Sequence, residues 1–300
     1  MKFLAVMLFA FADPHGLRIP AGLDAYLPVP ADNPLTKESV RLGRSLFFDK
    51  RLSRDNTISC ATCHDPKLAF TDGRKLAVGV DGRVGDRRVP RIVNRAYGKA
   101  FFWDGRTATL EEQVVMPIVN PKEMDLRVDE AAARVGTDVA TLQRSLAGYV
   151  RTILSGDSPY DRYIQGDREA LTAEQKLGLQ LFRGKAECAS CHPGPNLTDE
   201  GFHNTGIGAA DDPGHYAVSQ RSAHRGAFKT PSLREVARTP PYMHDGSLAT
   251  LEDVIDYYDK GGASNANLDP EIRKLQLTAV EKKALAAFLH ALNGKITDGL

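Results

Sequence analysis

"CATCH" at residues 60–64 and "CASCH" at residues 188–192 hold all four cysteines of this 300-residue chain: Cys60, Cys63, Cys188 and Cys191. Two thiols three positions apart suit the two vinyl groups of one porphyrin. The histidine that follows brings an imidazole under the iron. The pattern predicts two covalently bound haem c groups, with His64 and His192 as proximal ligands. Three other readings explain less. A four-cysteine zinc site needs no histidine directly after each pair. A redox disulfide seldom comes twice with histidine in the same place. Structural disulfides suit an exported chain but account for neither the spacing nor the histidines.

The sequence around the two motifs is duplicated. "LTKESVRLGRSLFFDKRLSRDNTISCATCH" leads into the first and "LTAEQKLGLQLFRGKAECASCH" into the second. In the second lead-in, Thr172 and Gln175 fit a capping box ahead of helical apolar spacing. The first has Thr36 at the corresponding start, but Ser39 where such a box wants Glu or Gln. After the motifs, Pro90–Val114 lies over Pro231–Ile255 at a constant offset of 141 without a gap. The expected fold is mainly α, with two cytochrome-c-like haem domains related by internal duplication. Residues 13–165 form the first and 166–300 the second. The join falls in the polar, Gly- and Pro-containing segment Leu154–Ala170. "LTAVEKKALAAFLHALNG" reads as a closing amphipathic helix, with Thr278 and Glu281 as capping box and Gly294 as stop.

Within the duplication, "WDGRTATLEEQVVMP" (103–117) lies over "HDGSLATLEDVIDYY" (244–258), so Tyr258 falls on Pro117. A phenolate can ligate haem iron, whereas proline has no side-chain donor. If the two copies share geometry, Tyr258 closes the second haem and the first stays open beside Pro117. A packed aromatic role for Tyr258, or ligation by Tyr257 instead, are the alternatives.

Composition narrows the partners. The chain carries 39 basic and 38 acidic residues, net +1, which argues against nucleic acid. No apolar run approaches the roughly 20 residues of a membrane span. Residues 1–12 read as an export signal, with Lys2, the apolar "FLAVMLFAFA" and an A-x-A site at Ala10–Ala12. The signal is short, so a start upstream or a buried N-terminal helix are the alternatives. Export places the chain in the periplasm and agrees with covalent haem.

The motifs "FFWDGR", "PYMHDGS", "LEDVIDYYDKGG" and the two C-x-x-C-H sites resemble those of the bacterial di-haem cytochrome c peroxidases and their MauG-like relatives, over nearly the whole mature chain. The resemblance implies that Trp103, the only tryptophan, relays electrons between the haems. It also implies that Gln113 and Glu123, ten and twenty residues on, line a pocket for hydrogen peroxide. The family's reversible capping histidine falls at Val80, which cannot ligate iron. The second-haem ligand position, seventeen residues after Pro241, is Tyr258, the MauG-like pattern. The family's calcium would sit on an Asn side chain and the carbonyls of Thr239 and Pro241. The Asn position is Arg88, whose guanidinium has no acceptor and would repel the ion. Arg88 then either replaces calcium or points elsewhere. His203, His215 and His224 read as loop residues near the second haem. His244, in Trp103's place in the duplicate, reads as a propionate or interface contact.

Three functions follow. The chain is a peroxidase reduced by a small periplasmic cytochrome or cupredoxin. Or it is a MauG-like enzyme that oxidises side chains of a partner protein to mature a tryptophan tryptophylquinone-type cofactor. Or it is a di-haem electron-transfer protein with no catalysis.

Overall fold

The computed structural model describes residues 16–208 and 212–300, so the export segment 1–12 lies outside the described residues. The described residues are mainly helical, with two short two-stranded sheets. Six principal helices build it: α1 (Lys37–Phe47), α2 (Leu110–Val119), α3 (Val139–Arg151), α4 (Ala173–Arg183), α5 (Leu251–Asp259) and α6 (Ala279–His290). One apolar cluster gathers side chains from Leu17 to Leu154, and a second gathers Tyr160 to Leu292.

The two clusters are built alike because the same sequence signals recur. α1 packs on α3, and α4 packs on α6. In each pair a glycine of the L-G-x-x-L-F stretch removes the side chain where the backbones approach. A Cβ on Gly43 would lie 1.9 Å from the Ser145 carbonyl oxygen, and one on Gly178 would lie 2.0 Å from that of Ala284. Beside each crossing sits one aromatic pair, Phe47–Tyr149 and Phe182–Phe288, both with centroids 5.2 Å apart. The offset of 141 holds down to single bonds. Phe101 bridges Thr107 as Tyr242 bridges Leu248. α2 is capped by Thr109 with Glu112, and α5 by Thr250 with Asp253.

Two expectations change in detail. The box at Thr36 closes after all: the Ser39 hydroxyl is short but reaches the Thr36 amide at 3.3 Å, while the Ser39 amide donates to Thr36 Oγ1 at 3.1 Å. α6 ends at His290, before Gly294. The Gly294 amide instead donates to Glu235 Oε1 at 2.6 Å, and the bare Cα faces the Gly156 carbonyl. The segment around the expected join carries regular structure. Leu154–Gly156 (β1) pairs antiparallel with Lys295–Thr297 (β2), so the chain's end packs on its first half. Asp161, fully buried, pairs with the equally buried Arg234 at 2.5 Å. No helix among the described residues is long and apolar enough to cross a membrane.

Candidate functional site

Each C-x-x-C-H motif closes a tight turn. The His64 amide donates to the Cys60 carbonyl at 2.8 Å, and that of His192 to the Cys188 carbonyl at 3.0 Å. Each imidazole then uses Nδ1 on a backbone carbonyl, Phe70 for His64 and Leu197 for His192, both at 3.0 Å. That bond fixes the tautomer and leaves Nε2 as a free lone pair. Burial keeps both rings neutral, with pKa values near 4. All four thiols are unpaired, and burial pushes those of Cys60, Cys63 and Cys188 up to about 12. The two cysteine pairs do not converge on a shared zinc site. Among the described residues the one group with metal-like spacing is Cys191, Asp199 and His203. A neutral imidazole beside two unpaired thiols is a donor set that fits haem c in both halves.

A cavity of about 840 Å³ opens above the first motif, lined by Cys63, His64, Trp103, Gln113, Pro117 and Glu123. Gln113 and Pro117 lie one turn apart on α2. Pro117 has no N–H, so the Gln113 carbonyl loses its helical partner. Met116 lines the same wall. Glu123 sits on the turn after α2, where Asn120 Nδ2 donates to its Oε1 at 2.6 Å. Burial raises the Glu123 pKa, against the Asn120 hydrogen bond and the charge of Arg106. Val80 is fully buried, and its amide donates to the Glu123 carbonyl at 2.8 Å. It therefore braces the turn that carries Glu123.

In the second half, α5 carries Tyr257 and Tyr258. Tyr257 is occupied: its hydroxyl donates to the Thr205 carbonyl at 2.8 Å and accepts from the Ala263 amide at 2.9 Å. Tyr258 lies beside the sulfurs of Cys188 and Cys191. Burial, followed by those sulfurs, raises its phenol above the ordinary range. Of the two, Tyr258 is the one whose phenol feels the Cys188 and Cys191 sulfurs, and it shares a hydrogen bond with the Thr205 side chain.

Trp103 joins the halves. Its Nε1 donates to the Arg88 carbonyl at 2.8 Å, and its ring meets His244 edge-on with centroids 6.4 Å apart. His244 stacks on Phe228 at 3.5 Å. His244 is thus an interface residue. Arg88 turns inward, and its Nη2 donates to the Thr239 carbonyl at 2.5 Å. The carbonyl that calcium would need already accepts from a cation, so the residues present do not fit that ion. His203 lies between Asp269 (2.6 Å) and Asp199 (2.9 Å), His215 stacks on Phe202, and His224 meets Ser219 at 2.9 Å. The sequence reading passed over Asn120, although an Asn three residues ahead of Glu123 is an Asx-turn signal. It also passed over the buried bases Arg91 and Lys229, which no local pattern marks.

A family model for di-haem cytochrome c peroxidase matches residues 37–140. The chain is 43% identical over 289 residues to the methylamine utilization protein MauG of Methylorubrum extorquens, covering 90% of this chain and 82% of that protein. It is 37% identical to the cytochrome-c peroxidase IdrP2 of Denitromonas iodatirespirans, covering 86% and 82%. The crystal structure of a MauG-like protein associated with microbial copper homeostasis superposes with a TM-score of 0.84. It is 35% identical, over 91% of this chain and 95% of that one.

Proposed function

Because the chain belongs to the di-haem cytochrome c peroxidase family, an oxidoreductase family with MauG among its members, we propose that it reduces hydrogen peroxide in the cavity beside His64. The haem at Cys60, Cys63 and His64 supplies, when bound, the iron on which peroxide is held and split. The carrying observation is the cavity wall itself. Glu123 presents a buried carboxyl with a raised pKa, Gln113 presents an amide, and Pro117 presents only ring carbons. Glu123 takes the proton from the near oxygen of peroxide and returns it to the far one, which leaves as water. Asn120 holds Glu123 in place for this transfer, and Val80 braces the turn beneath it. Gln113 orients the peroxide by hydrogen bonding.

Trp103 carries electrons between the halves, and Tyr258 with His192 ligates the second haem. Residues 13–165 thus serve the reaction with peroxide, and 166–300 serve electron storage. The proposed compartment is the periplasm. The electrons come from the side chains of a partner protein in one version and from a small cytochrome or cupredoxin in the other. The 43% identity to MauG favours the first. A test mixes the fully oxidised protein rapidly with peroxide. Wild-type protein should respond at once, and Glu123→Gln roughly 10²–10⁴-fold more slowly. No spectral response in either would leave an electron-transfer protein only.

A further inference from the structure

Most of the arginines around the cavity beside His64 have a carboxylate. Arg87 pairs with Asp104 at 2.7 Å and Asp212 at 2.8 Å, Arg95 with Glu200 at 2.7 Å, and Arg106 with Asp104 at 2.9 Å. Arg91 has none. Its Nη1 reaches only the Thr239 hydroxyl, at 3.2 Å, while Nε and Nη2 are shut from water without a partner. Glu235, the carboxylate whose charge acts on it, is taken up by Ser155, Gly294 and Arg238. Two more buried cations stand close by. Arg88 also has an orphaned Nε, and Lys229 has only a share in the Glu200 carboxylate, at 3.8 Å, that Arg95 already holds. All three line the cavity.

A buried guanidinium with two idle donors and no counter-charge is costly unless an anion reaches it. Its planar fork is built for a carboxylate. We propose that Arg91 binds a propionate carboxylate of the haem attached at Cys60 and Cys63. This rests on the haem reading above but is separable from it. Arg91 grips Thr239 with its third nitrogen, and the Thr239 carbonyl is held by Arg88. Seating the propionate therefore fixes the contact between the two halves. Burial lowers the Arg91 pKa to about 9, the strain that a carboxylate would relieve.

The test uses the mature protein with Arg91→Gln and Arg91→Lys. The mass of the wild type reports whether two haems are attached, which judges the parent reading alone. In Arg91→Gln carrying two haems, loss of the cation beside the propionate should favour the ferric state. The midpoint potential of the His64 haem should shift negative, its propionate vibrations should move, and Arg91→Lys should restore part of both. If Arg91→Gln does not mature, Arg91→Lys is read alone, with a smaller shift of the same sign expected. An unshifted His64 haem, or a shift confined to the His192 haem, overturns the assignment.

Discussion

Trp103 and His244, 141 positions apart and equivalent in the duplication, meet ring to ring with centroids 6.4 Å apart at 64°. The backbone bonds around them are reciprocal. The Arg88 amide donates to the His244 carbonyl at 2.8 Å, and the amide of Lys229, the duplicate of Arg88, donates to the Trp103 carbonyl at 2.8 Å. The two halves thus face each other as copies across a local pseudo-dyad, as in an isologous dimer. Trp103 and His244 meet across that axis. Replacing Trp103 with Phe keeps the apolar bulk but leaves the buried Arg88 carbonyl unsatisfied, at about 1–3 kcal/mol. Trp103→Phe should keep the peroxide response at the first haem and delay that at the second. A wild-type delay, followed by absorbance at both haems, would remove Trp103 from the path.

Glu123 gives a pH dependence with a definite sign. Its carboxyl is raised, chiefly by burial, so the folded state favours the protonated form. Proton acceptance is then lost as pH falls through a value above the ordinary Glu range, and the rate with peroxide falls with it. Glu123→Gln should remove this acid limb as well as slow the reaction. Folding stability linked to this group runs the other way, declining as pH rises through the same value. Rate–pH profiles of the two proteins check it, and an identical limb in Glu123→Gln assigns it elsewhere.

Gly178 tests the packing of α4 on α6. A Cβ there would lie 2.0 Å from a backbone carbonyl, so the helices must part. Gly178→Ala should cost about 1–3 kcal/mol of stability, as overpacking does. Thermal unfolding of the mature protein measures it. An unchanged midpoint would show that the crossing has slack.

Tyr257 and Tyr258 should separate cleanly. Tyr257→Phe loses the Thr205 and Ala263 contacts and should lower stability by about 1 kcal/mol per bond, with the haem spectrum intact. Tyr258→Phe should turn the second haem high-spin or water-ligated. The reverse outcome would make Tyr257 the ligand.

Much of this was legible in the chain. The cysteine spacing marked both haem turns, and the offset of 141 anticipated paired caps, bridges and helices. The duplication and the spacing from Pro241 pointed to Tyr258, but not to what occupies Tyr257: its hydroxyl bonds to backbone at Thr205 and Ala263, which no local pattern announces. The Arg88–Thr239 contact joins residues 151 apart, and a single sequence carries no sign of it. Serine at position 39 departs from the Glu or Gln usual in a capping box, yet its hydroxyl still reaches the Thr36 amide. Arg91 stands in no local pattern that marks it as buried, because Thr239 and the rest of its enclosure come from distant parts of the chain.

The central claim is that the first haem stands open in the oxidised protein, since Pro117 and Val80 offer it no ligand. The most direct measurement is an EPR spectrum of the fully oxidised protein, recorded before and after adding peroxide with no reductant present. An open first haem and a His192–Tyr258 second haem predict one high-spin and one low-spin ferric signal, both changed by peroxide. Low-spin signals alone, or a response only after an electron is supplied, would contradict the account and point to another side chain of the wall, Met116 among them, as a cap.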